Sequence, residues 1–122
     1  MSYNCDLFKV KKLENLRIPV ASLFKHPRKD WHPNKEVNED DTVTFRIMDM
    51  VEVTGIIEND ILIVEEICCY GNGSGSAMEY VFEPAFEDSI GELIVSCVWE
   101  GGDSINQLIV KDGKVEWKDI DI

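Results

Sequence analysis

The sequence predicts one mainly β domain of antiparallel strands, and three observations carry that expectation. From Thr42 onward short runs alternate apolar and polar residues; turn dipeptides such as Asn59-Asp60 and Asp112-Gly113 separate those runs; and the clearest helical signal is a single short one near the start. The architectures that fit are a sandwich, a bent sheet or a partly open barrel, with one short N-terminal helix. The chain of 122 residues is long enough for one real core and too short for two ordinary domains, so residues 1–122 are expected to fold as one unit.

The elements follow in order. Residues 5–16 fit both a three-residue apolar spacing and an alternating one, and the alternation favours a strand followed by a turn. Pro19 can open a helical turn through Val20 to Lys25, and Pro27 stops it. The stretch from His26 to Asp41 has no period of either kind and contains Pro27 and Pro33, so a long loop is expected there. Val43, Phe45 and Ile47 alternate with polar neighbours; Val51 to Ile57 does the same; Ile61 opens the central run, and Ala77 to Phe82 reads as its return strand. Glu92 to Trp99 is apolar on both faces and is expected to lie centrally, with strands at Ile105 to Val110 and Val115 to Ile120 after turns at Gly101-Gly102 and Asp112-Gly113.

Charge is the global feature that departs from the ordinary. Twelve Lys and Arg stand against 24 Asp and Glu, a net charge of -12. Residues 1–35 hold eight bases and three acids, whereas residues 36–110 hold one base, Arg46, and seventeen acids. A field of that sign repels nucleic acid and anionic membrane surfaces and speeds encounter with a basic partner. No run is long and apolar enough to span a bilayer, and the N-terminus lacks the apolar run and cleavage site of a leader; the expectation is a cytoplasmic protein with reduced thiols.

Motifs that would carry chemistry are scarce. The GNGSGS loop lacks a following Lys-Ser or Lys-Thr and sits in acidic surroundings, so it reads as a hairpin loop and not a phosphate cradle. His26 and His32 have no ligand spacing for zinc, and the paired acids lack the alternating pattern that wraps calcium; no metal or cofactor is expected. No nucleophile is placed beside a histidine, and no catalytic residues are assigned.

The hairpin expected over 61–82 yields the candidate site. Pairing Tyr70 with Ala77 sets Cys69, Ile67 and Glu65 against Met78, Tyr80 and Phe82 on a core side. The other side then shows Glu66 and Tyr70 with Glu79 and Glu83, an aromatic residue among carboxylates suited to a basic partner. Asp40 and Asp41 join this set on charge alone.

In size, charge and inferred β content the chain resembles the small acidic immunity and antitoxin proteins that bacteria use against nuclease toxins. That resemblance implies a protein that neutralises a basic partner by occluding its cationic cleft, with Glu66, Glu79, Glu83, Asp40 and Asp41 standing in for phosphates and Tyr70 as an anchor. The alternative is a small β-barrel enzyme or ligand-binding protein with a pocket near residues 26–41, lined by His26, Trp31 and His32.

Overall fold

The computed structural model describes residues 5–48, 51–69, 77–99 and 105–120. Eight strands form one open antiparallel sheet in the order β2-β3-β4-β5-β1-β6-β7-β8. The strands are β1 Cys5–Pro19, β2 Asn34–Val37, β3 Val43–Ile47, β4 Val51–Glu58, β5 Ile61–Cys69, β6 Ile90–Trp99, β7 Ile105–Lys111 and β8 Lys114–Ile120. The long first strand therefore lies in mid-sheet, pairing with β5 at Arg17–Ile63 and with β6 along most of its length. Of the three architectures that fitted the sequence, the single sheet is the one formed, with β2 and β8 as its two edges.

Turn chemistry places the hairpins as the sequence predicts. Asn59 (φ 51°) and Asp60 (φ 64°) join β4 to β5, and Asp112 (φ 46°) with Gly113 (φ 85°) joins β7 to β8; two successive positive φ values match the right-handed twist of the flanking strands. Register irregularities interrupt the β1–β6 pairing at three places and the β4–β5 pairing at one. A bulge at Thr54/Gly55 brings the backbone of β4 so close to β5 that a Cβ on Gly55 would sit 1.9 Å from the Ile63 carbonyl oxygen. Gly91, at φ 92°, accommodates the shift between Glu14 and Arg17 in the β1–β6 pairing.

Two expectations are corrected. Ala77 to Phe82 is not a strand: Met78–Phe82 is a π-helical turn that runs directly into an α-helical turn, Glu83–Phe86, and the two together are termed α1. The main helical element is thus in the middle of the chain and not near its N-terminus, where Val20–Phe24 makes only a 3-10 turn. The physical reason is a period of four. Residues 77–88 read as apolar and polar pairs, Ala77-Met78, Glu79-Tyr80, Val81-Phe82, Glu83-Pro84, Ala85-Phe86, Glu87-Asp88, and each apolar pair is buried. A strand would have exposed one member of each apolar pair. The loop expected over 26–41 also holds structure, a 3-10 turn at Lys29–Trp31 and the short edge strand β2. The tests of GNGSGS and of Gly101-Gly102 lie outside the described residues.

The core lies between one sheet face and α1. Leu16, Ile18, Phe45, Ile47, Val53, Leu62, Leu93, Val95 and Leu108 point from the strands into it, and Phe82 and Phe86, with ring centroids 6.2 Å apart, enter from α1. All of these side chains are fully buried, each worth about 1.5–3 kcal/mol of transfer free energy. Phe24 extends the cover over β3 by an edge-on contact with Phe45 at 6.3 Å. The opposite sheet face is uncovered among the described residues and carries the alternate residues, among them Arg46, Glu52, Thr54, Ile56 and Glu66.

Candidate functional site

The outward side of α1 forms an acidic ridge. With apolar pairs turned into the core, Glu79, Glu83 and Glu87 follow one another at intervals of four residues and share the exposed side of the helix. No basic side chain pairs with any of the three among the described residues; Lys25 binds Asp88 and the Pro84 carbonyl. Glu83 is half-buried, and burial holds its carboxyl above the usual carboxylate range. The Trp117 indole on β8 donates a hydrogen bond to Glu83 and works the other way, while Glu79 and Glu87 push the carboxyl further up.

Aromatic groups flank the ridge. Tyr80, 45% exposed, meets Trp31 edge-on at 5.2 Å between centroids and lies 5.8 Å from the His26 ring, itself 6.1 Å from Trp31. Sequence separation of about fifty residues conceals this trio. Trp117, 37% exposed, reaches the ridge through its hydrogen bond to Glu83. Large aromatic surfaces of this kind, partly dry and partly wet, are the usual anchors of protein interfaces.

The predicted site residues separate into groups. Glu79 and Glu83 are brought together on α1, but the hairpin that was to join them to Glu66 does not exist. Glu66 lies on the uncovered sheet face, opposite Thr54 and accepting a hydrogen bond from Cys68 Sγ at 3.2 Å. Tyr70 lies outside the described residues. Asp40 and Asp41 form the turn between β2 and β3, where Asp40 accepts from the Thr42 amide at 3.1 Å and from its hydroxyl; those bonds hold the Asp40 carboxyl below its ordinary value. Sequence reasoning missed Glu87, Tyr80 and Trp117. The paired pattern over 77–88 was the signal for the first two, and nothing local marks Trp117.

Of the alternative pocket, the histidines act as loop ties. His26 Nδ1 accepts from the Arg28 amide at 3.1 Å, and His32 Nε2 contacts the His26 carbonyl oxygen at 2.7 Å. An open cleft of about 300 Å³ lies elsewhere, where Glu14, Arg17, Gly91 and Asp112 meet, with none of His26, Trp31 or His32 in its wall. No group of His, Cys, Asp and Glu able to hold a metal ion occurs among the described residues, and no described helix is long and apolar enough to cross a membrane. Compared with protein-family models, curated proteins and solved structures, the chain matches none of them.

Proposed function

We propose that the protein is an acidic binding protein that captures a basic protein partner on the outward side of α1, in the manner of an immunity protein that blocks the cationic cleft of a nuclease toxin. One observation carries the reading: three glutamates of one ridge stand in line with no basic partner among the described residues, beside partly exposed aromatic rings. Like charges at four-residue spacing each cost the free helix about 0.2–0.5 kcal/mol, a cost that a cationic partner reverses on binding. Tyr80 takes the anchoring role that the hairpin gave to Tyr70, and the ridge supplies the phosphate-like row of carboxylates. The net charge of -12 steers such a partner from a distance.

The test is capture from the native cell by the tagged chain at low and high salt, followed by the triple variant Glu79→Gln, Glu83→Gln, Glu87→Gln. The expected result is a basic protein retained at low salt and lost from the variant, with the fold unchanged by circular dichroism. Retention of no basic protein, or undiminished retention by the variant, overturns the reading.

A further inference from the structure

We infer that a second copy of this chain pairs along β8, joining two sheets edge to edge about a twofold axis through Trp117. Among the described residues β8 is an edge of the sheet: its one partner in the sheet order is β7, so its outer backbone groups face away from the ladder. An edge of seven residues is a template for strand addition unless its side chains oppose it.

Here the side chains favour one partner in one register. Trp117 is the midpoint of Lys114–Ile120, so an antiparallel copy centred on it is the arrangement that pairs all seven residues. In that register Glu116 stands opposite Lys118 of the copy, and Lys118 opposite its Glu116, giving two cross-strand pairs of opposite charge on the uncovered sheet face. The two Trp117 residues meet on the other face, where each is 37% exposed, as a cross-strand aromatic pair. Moving the centre one residue toward the N-terminus sets Lys114 against Lys118 and shortens the ladder, so charge and length select the same register. The pairing is isologous and closes with two copies.

Because Trp117 also donates to Glu83, the axis brings the two α1 ridges to the same side of a continuous sheet. The pairing itself does not depend on the reading of α1 as a partner site. Sedimentation of the full chain across a concentration series tests it, with far-UV circular dichroism confirming that each variant is folded. The wild type is expected to approach twice the 13.9 kDa of one chain. Lys118→Glu, which sets Glu116 against glutamate, is expected to stay at one chain mass, and Glu116→Lys with Lys118→Glu to regain the dimer. Amide exchange along 114–120 of the wild type, slowing with concentration, supplies a readout free of variants. A wild type that stays at one chain mass, a dimer indifferent to Lys118→Glu, or a double variant that does not recover overturns the inference.

Discussion

Glu83→Gln separates what the ridge costs the fold from what it does for binding. The carboxyl is held above its ordinary value of 4.5, first by burial and then by Glu79 and Glu87, with the Trp117 hydrogen bond opposing them. A raised value means that the native state favours the protonated acid. Its contribution to stability is therefore fully present below about 4.5, the value of the unfolded chain, and is lost as pH rises through the higher folded value. Glutamine keeps an acceptor for the Trp117 indole and removes the charge. Glu83 takes part in two like-charge contacts at four-residue spacing, each worth about 0.2–0.5 kcal/mol, so the variant is expected to be more stable by about 0.4–1 kcal/mol at pH 7.5.

Urea titration followed by tryptophan fluorescence reads this as a midpoint higher by about 0.2–0.7 M, given a slope of about 1.5–2 kcal/mol/M. At pH 4 and below the two midpoints converge, since wild-type Glu83 is then protonated as well. Titrating groups other than the coupled Glu79 and Glu87 are common to both proteins and cancel in the difference. A variant less stable than the wild type at pH 7.5 refutes the assignment, and so does a gain that persists unchanged into acid.

The remaining predictions test the scaffold under the ridge. Phe86→Ala removes a fully buried ring that packs on Phe82 beneath α1, and is expected to lower unfolding free energy by about 3–5 kcal/mol in the same urea titration; a loss under 1 kcal/mol contradicts the packing. Asp88→Asn breaks the tie from the end of α1 to Lys25 and Ser22. The Lys25 hydrogen bond, helped by Ser22, holds the Asp88 carboxyl below 3.8, so its stabilisation is present above that value and vanishes as pH falls through the depressed one. Wild type and Asp88→Asn should therefore differ at pH 7 and coincide in strong acid; a difference surviving there refutes the electrostatic origin.

Much of the sheet was legible because each of its cues acts over a few residues. Asn59-Asp60 and Asp112-Gly113 specify their turns locally, and the alternation in Val43–Ile47 or at the start of β4 needs only one covered face to appear in sequence. Residues 77–88 misled for an equally local reason: Met78, Tyr80 and Phe82 alternate as a strand does, and only a window that reaches Ala85-Phe86 reveals pairs repeating every four. Of the two partners of β5, β4 is local and follows from the Asn59-Asp60 turn, whereas β1 is distant in sequence and could not be read. β5 pairs with β4 on one side and, at its start, with β1, whose sequence lies more than forty residues earlier. The meeting of Tyr80 with Trp31 and of Glu83 with Trp117 depends on that same topology.

A repeat of four also explains why α1 is not an ordinary helix. At 3.6 residues per turn, each step of four advances about 40° around the axis, so Glu79 and Glu87, like the first and last apolar pairs, would diverge by about 80°. A π-helical turn takes more residues per turn and offsets that advance. The Glu83 amide bonds the Met78 carbonyl five residues back, which marks the wide turn just before Pro84. Pro84 has no amide to give, and in α geometry its ring would collide with the Tyr80 carbonyl four residues back; the widened turn relieves that collision. The proline thus favours the turn that keeps Phe82 and Phe86 in the core, and the same turn keeps the three glutamates in one line on the other side.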